Sequence, residues 1–387
     1  MHHTVTTVRD RYWLHLLLFA ATLGSAIYAG AELAGRWLLY TQAEGWLVYL
    51  FDGLSYAVSL LFFLTVHEFG HYFAAKHHNV DVTLPFFIPS PFFFIPMNLG
   101  TFGAVIRIRD QVPNSTKLFD IGVAGPVAGF VASLLVIGLG VAALPDLSYY
   151  LDLPGHNELK DLIYRGLPLP ETSPTGGPTI YVGQTPLFWL IGLLVPNLPP
   201  LYEIYHFPIL FAGWLGLLFT ALNLLPVGQL DGGHILFALV GRRWHGLLAR
   251  GFVLLLLLSA SVGFAVEMGP VLQSYMRYGE LASWIFLTAI LFFFLNRIFL
   301  GDLKSVALSL ASITALVVLA MRAGSSVTQY GYSGWFFWCI LIVTFIKVDH
   351  PPVLYQEPLT RGRRWLGIAS FIIFALSFSV RPIYMGF

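Results

Sequence analysis

The chain has one cysteine and few charges, and these two shortages bound the answer before any motif is read. A lone Cys339 among 387 residues excludes an internal disulfide and a thiolate zinc cage. Only 11% of residues are charged, where a soluble domain carries about a quarter. The charges also nearly cancel, at 21 basic against 20 acidic, so nucleic acid held by bulk charge is excluded as a partner. What is abundant is apolar: 57% of residues are hydrophobic, 16% aromatic, and the mean hydropathy is +0.74. That composition excludes disorder and a water-soluble globule of this size. The remaining class is an all-α polytopic membrane protein whose first partner is the lipid bilayer.

A crossing helix needs roughly 20 apolar residues. Runs over 12–31, 54–77, 118–144, 207–225, 248–266, 281–300, 305–321, 335–347 and 365–381 predict about nine spans, three of them short. The first run has Arg9 and Arg11 before it but no small-residue cleavage site, so it reads as a span rather than a signal peptide. His2 and His3 are too few for an affinity tag. With the N-terminus inside and the spans alternating, 15 of the 21 Lys and Arg fall inside and 6 outside. This bias sets the orientation and favours an odd number of spans.

Two stretches do not read as spans. Residues 78–117 carry Pro85, Pro89, Pro91, Pro96 and Pro113 among many phenylalanines, which predicts a re-entrant or interfacial segment. Within it, residues 101–109 alternate late in the run and predict an edge strand. Residues 145–206 are rich in Pro and Gly, with six acids against two bases, and read as an outside loop. Its part from Leu187 to Val195 is expected to dip into the bilayer interface. The organisation expected is an N-terminal span and outside loop over 1–53 and a catalytic membrane core over 54–240. The core carries the 145–206 insertion, and C-terminal membrane helices follow over 241–387.

The second span ends Val66-His67-Glu68-Phe69-Gly70-His71, an HExxH. Four residues apart on a helix, His67 and His71 share a face and can bind one metal ion, with Glu68 beside them as general base toward water. Such groups are expensive inside a membrane and mark function there. His77 and His78 just beyond read as a helix end near the headgroups. A centre of this kind needs a third protein ligand and an open position. The fourth span runs into Asn223-Leu224-Leu225-Pro226-Val227-Gly228-Gln229-Leu230-Asp231-Gly232-Gly233-His234, which returns to the same side. Asp231 there is either the third ligand or the N-cap of the next helix, and the residues leave both open. Asp120 and His234 are rivals; Asp52 falls on the wrong side.

HEFGH in one span and NLLPVGQLDGG in a later one resemble the site-2 protease family of intramembrane zinc metalloproteases, whose signatures are HExxH and Asn-x-x-Pro-x-x-x-Leu-Asp-Gly. The stretch Gly122-Val123-Ala124-Gly125-Pro126-Val127-Ala128-Gly129 is similar to that family's Gly-rich third helix. The resemblance covers about residues 54–240. It implies Zn2+ as cofactor, His67, His71 and Asp231 as its ligands, Glu68 as the catalytic residue and Asn223 as a polar group near substrate or oxyanion. No segment resembles the PDZ domain many members carry, and the C-terminal helices with Asp349-His350-Pro351-Pro352 resemble the bacterial and plastid branch. The function implied is regulated intramembrane proteolysis of membrane-anchored proteins, such as a transcription factor, an anti-sigma factor or a signal-peptide remnant. The place expected is a bacterial inner membrane, with N-terminus and active site toward the cytoplasm. The 101–109 strand would pair with unwound substrate.

The alternative from another class is a multi-span transporter or channel with a structural metal site, since broken polar helices also serve transport. No inverted repeat is visible to support it. A prenyl-protein endoprotease would take a glutamate as third ligand, and Glu267 and Glu280 lie outside. An inactive relative is at odds with the intact motifs. The blander features are read as structure. Gly122, Gly125 and Gly129 make a close helix contact. Asp349 and His350 sit in a solvated loop, Arg361–Arg364 anchor topology at anionic headgroups, and Trp and Tyr near span ends form interface belts.

Overall fold

The computed structural model describes residues 11–90, 98–174 and 177–386. Arg9, His2, His3, Pro91 and Pro96 lie outside them. Thirteen helices run through the described residues. The first is α1 (Tyr12–Ala34), followed by the short α2 (Trp37–Tyr40), then α3 (Gly45–His77) and α4 (Ser115–Ala142). The insertion holds α5 (Asn157–Tyr164) and α6 (Pro186–Leu194), and α7 (Pro208–Asn223) and α8 (Asp231–Tyr275) follow it. Next come α9 (Gly279–Ile298), α10 (Leu303–Ala323), the short α11 (Ser325–Thr328), α12 (Trp335–Leu341) with a π-turn over Ile342–Ile346, and α13 (Arg361–Ser377). Strands are few: β1 (Phe86–Pro89) pairs antiparallel with β2 (Thr101–Val105), and β3 (Thr179–Val182) with β4 (Ile383–Gly386).

Six helices are long and apolar enough to cross a membrane: α1, α3, α4, α8, α9 and α10. Their outer faces carry exposed Leu16, Leu135, Leu139, Leu255, Ile285 and Leu308, which water would reject and lipid accepts. The chain is an integral, multi-pass membrane protein. The other three expected spans are helical but short. At 1.5 Å per residue, the 16 residues of α7 reach about 24 Å, under the roughly 30 Å of a hydrocarbon core. Tertiary ties still fit nine alternating crossings. β3 joins β4, Ser115 N–H donates to the Tyr355 carbonyl at 3.1 Å, and Gly228 N–H donates to the Val348 carbonyl at 3.0 Å. Each tie joins segments that nine crossings leave on one side.

Three boundaries differ from the sequence reading. The second span begins at Gly45, because the start of α3 is held to the preceding turn: Arg36 forms an ion pair with Asp52, and the Tyr40 hydroxyl donates to it at 2.8 Å. That accounts for Asp52. The fifth span is continuous with the helix that starts at Asp231, broken only at Gly241 (φ 78°, ψ 173°), whose backbone leaves the helical region. Residues 145–206 are more than a loop. They fold through two short helices and β3, and the insertion is tied to α7 by the Trp214 indole N–H donating to the Gly183 carbonyl at 3.1 Å. In α6, between the expected Leu187 and Val195, Trp189, Leu193 and Leu194 are exposed.

The expected strand over 101–109 is half present. β2 occupies Thr101–Val105, and beyond it Val82 bridges Ile108 and Arg109 N–H donates to the Asp81 carbonyl at 2.9 Å. The hairpin lies on α1, where the Phe19 and Phe87 rings meet edge-on at 5.0 Å and Ser25 Oγ donates to the Gly100 carbonyl at 2.6 Å. His15 Nδ1 stands 3.1 Å from the Pro85 carbonyl. The described part of this apolar segment is therefore held against α1.

Candidate metal centre and active site

The site is built where α3, α4 and the α7–α8 turn meet. On α3, His67, Glu68 and His71 are all buried. α4 approaches α3 closely because its glycines present no side chain. A β-carbon on Gly125 would stand 2.0 Å from His71 Nε2, and one on Gly129 would stand 2.9 Å from His67 Nδ1. At that distance His71 Nδ1–H donates to the Ile121 carbonyl at 2.7 Å. A carbonyl only accepts, so this bond fixes the tautomer and leaves Nε2 a lone pair facing inward.

The α7–α8 turn brings the far motif to the same point. Pro226 cannot continue α7, and the chain doubles back through Gly228 in the left-handed region (φ 55°). α8 then begins at Asp231, with Leu230 at the N-cap position and no capping side chain. Asp231 lies within the helix and makes no cap bond, so the N-cap reading does not hold. Its Oδ2 is 3.2 Å from His71 Nε2 and 3.6 Å from His67 Nε2, and the two imidazole nitrogens are 3.2 Å apart. The amide Nδ2 of Asn223, at the end of α7, stands 3.2 Å from His67 Nε2.

Three acceptor atoms converging in a buried place repel one another unless a cation lies among them. Donor atoms on a tetrahedron with bonds near 2.05 Å are separated by about 3.3 Å, close to the observed spacings. His67 Nδ1 is buried and without a hydrogen-bond partner among the described residues. The residues present therefore fit a metal ion held by two imidazoles and a carboxylate. Glu68 is not part of this triangle. The backbone amide of Ile106, just past β2, faces its carboxylate.

The rivals are committed elsewhere. Arg363 Nε and Nη2 donate to Asp120 at 2.7 and 2.8 Å, and His78 Nε2 lies 2.8 Å from it. His78 is the helix end expected, at the C-cap of α3, and turns to Asp120, while Arg363 of the Arg361–Arg364 cluster ties α13 to α4. His234 Nδ1 lies 2.7 Å from His350 Nε2. His350 is buried and stacked on Phe237 at 4.3 Å, so it is not solvated, while Asp349 beside it stays partly exposed in the loop and accepts from Arg250 at 2.7 Å. Burial holds His350 below the ordinary histidine pKa. Ile106 was missed because a backbone donor leaves no mark in residue type. The contact of His350 with His234 was missed because the two lie 116 residues apart.

Residues 55–268 match the family model described as peptidase family M50. The chain belongs to that family. The resemblance read from HExxH and the later Asn-Pro-Asp stretch holds. The chain is 31% identical over 200 residues to the probable zinc metalloprotease EGY1, chloroplastic, of Oryza sativa subsp. japonica, covering 49% of this chain and 29% of that protein. It is 27% identical over 257 residues to the protein of the same name in Arabidopsis thaliana, covering 60% and 40%. It is 29% identical over 233 residues to the probable zinc metalloprotease EGY2, chloroplastic, of Arabidopsis thaliana, covering 60% and 36%. The chain thus spans less than half the length of these relatives. No solved structure matches it.

Proposed function

We propose that this peptidase M50 chain is an intramembrane zinc metalloprotease that hydrolyses peptide bonds within or near transmembrane segments of membrane-anchored proteins. The observation that carries the reading is the meeting of His67 Nε2, His71 Nε2 and Asp231 Oδ2 within 4.8 Å of one another, on helices that cross a membrane. In this reading His67, His71 and Asp231 hold zinc. The ion supplies a Lewis acid that acidifies water and polarises a carbonyl. Glu68 takes the proton from the attacking water and returns it to the leaving amine. The Ile106 amide, facing the Glu68 carboxylate, orients it. Asn223 offers an amide N–H to the developing oxyanion. β2, paired with β1 on one edge, has no described strand on its other edge and would take an unwound substrate strand there.

The catalytic core is taken as residues 54–240, with 145–206 inserted and 241–387 as accessory helices. The N-terminal end of α1 and the site share a side, as the His15–Pro85 contact between α1 and the hairpin supports. With the Lys and Arg bias, that side is read as the cytoplasmic face of a bacterial inner membrane.

The test is cleavage of a helical membrane substrate by the purified chain in lipid. Glu68→Gln should keep zinc and the helical content yet lower the rate by about 10²–10⁴-fold, the usual contribution of a general acid–base. Near wild-type cleavage by that variant would remove Glu68 from the mechanism.

A further inference from the structure

At the other end of α1 the insertion carries a second cluster of ligand-type side chains. His156 precedes α5, while Glu203 precedes and His206 ends the short 3-10 turn (Ile204–His206) that leads into α7. His156 Nε2 lies 3.3 Å from Glu203 Oε2, and His206 Nε2 lies 4.0 Å from the same oxygen. All three donor atoms fall within 4.8 Å of one another.

The other nitrogen of each ring is already committed. His206 Nδ1 stands 2.9 Å from the Leu33 carbonyl and 3.2 Å from that of Ala34, and His156 Nδ1 stands 2.9 Å from the Pro154 carbonyl. Carbonyls only accept, so each Nδ1 carries a proton, and in the neutral ring each Nε2 is a lone pair. Both lone pairs are turned on a carboxylate. Glu203 is 3% exposed and His206 6%, and neither Glu203 Oε2 nor His206 Nε2 has a hydrogen-bond partner among the described residues. A His156–Glu203 ion pair across 3.3 Å is close enough to satisfy those two groups, but it leaves the buried His206 Nε2 without a partner beside the same oxygen. One cation shared by the three groups satisfies His206 Nε2 as well as the other two.

We propose that His156, Glu203 and His206 bind a second zinc ion, remote from the HExxH centre. Two imidazoles with one carboxylate suit zinc, whereas calcium and magnesium take oxygen ligands. The backbone carbonyls behind His206 and His156 orient the rings, as partners of metal-bound histidines do. His156 is the most exposed of the three side chains and marks the open position. The ion joins the two ends of the insertion, and His206 Nδ1 carries that joint to the end of α1, where Gly35 (φ 73°) lets the ring lie over the helix terminus; a β-carbon there would stand 2.8 Å from its Cε1.

The test uses the full chain in detergent, stripped of metal, reloaded with Zn2+ and dialysed, with metal read by mass spectrometry. The wild type should hold about two zinc ions per chain, and His67→Ala/His71→Ala about one. Adding His156→Ala to that double variant should abolish binding, and adding Glu203→Gln should do the same. The helical circular dichroism of the His67→Ala/His71→Ala chain is checked beside its zinc. A folded double variant that binds no zinc overturns the proposal, and so does zinc retained after both His156→Ala and Glu203→Gln. Because the HExxH histidines are absent from this background, the result is independent of whether the chain is a protease.

Discussion

Gly125 of α4 and His71 of α3 are packed so that a β-carbon on the glycine would sit 2.0 Å from the imidazole Nε2. The stretch Gly122–Gly129 was expected to make a close helix contact, and that contact also shapes the metal site. Gly125→Ala should push His71 out of the donor triangle and lower zinc affinity by at least the roughly 10–100-fold typical of disturbing a ligand's support. Gly138→Ala is the control on the same helix. Its β-carbon meets nothing within 4 Å, and alanine is the better helix former by up to about 1 kcal/mol. Equal zinc content in the two variants would refute the packing argument.

Asp231→Asn distinguishes a ligand from a helix-terminal residue. Asparagine caps about as well as aspartate but does not bring a charge to a buried zinc ion. Since Asp231 makes no cap bond, the asparagine variant should keep its helix and lose zinc. Full occupancy measured after dialysis would return the third position to an unassigned group.

The Arg363–Asp120 pair joins α13 to α4 through two donated N–H bonds with side chains 34% and 20% exposed. Exposed pairs contribute under about 1 kcal/mol, and breaking a fully buried pair costs about 3–5. A coupling of about 1–2 kcal/mol is expected from a double-mutant cycle of Arg363→Ala and Asp120→Ala, read by unfolding in detergent. A coupling near zero would make Arg363 a lipid-facing charge after all.

Orientation is open to labelling. Asp110 and Glu171 are exposed, and the native Cys339 is buried, so background reaction should be small. Asp110→Cys should react with an impermeant reagent only from the inside, and Glu171→Cys only from the outside. Reaction of both from one face would undo the alternating topology.

Much of this molecule is legible in its residues. Helical runs and positive charge mark the crossings, because lipid leaves the backbone little choice. HExxH announces itself, because both ligands share one helix face. The third ligand is ambiguous in the sequence because Asp before Gly-Gly suits a cap equally well. What the structure adds is that Leu230 holds the cap position, with Asp231 one residue inside the helix and 3.2 Å from His71 Nε2. His156, Glu203 and His206 escaped because the first lies 47 residues before the second on a stretch with no strong periodicity. The burial of His350 escaped because a histidine after an aspartate, before two prolines, has the local look of a loop.

The pairing of β3 with β4 has a consequence for biogenesis. Thr179 and Gly386 are register partners separated by 207 positions, and eight of the thirteen helices lie between them. β3 leaves the translocation machinery long before its partner is made. Closing that sheet must wait until α7 through α13 have been inserted, and contacts at such separation form late. A defect in any intervening crossing, such as a mis-inserted α12, should therefore show itself at the insertion, as protease sensitivity near residues 179–182 rather than at the faulty helix.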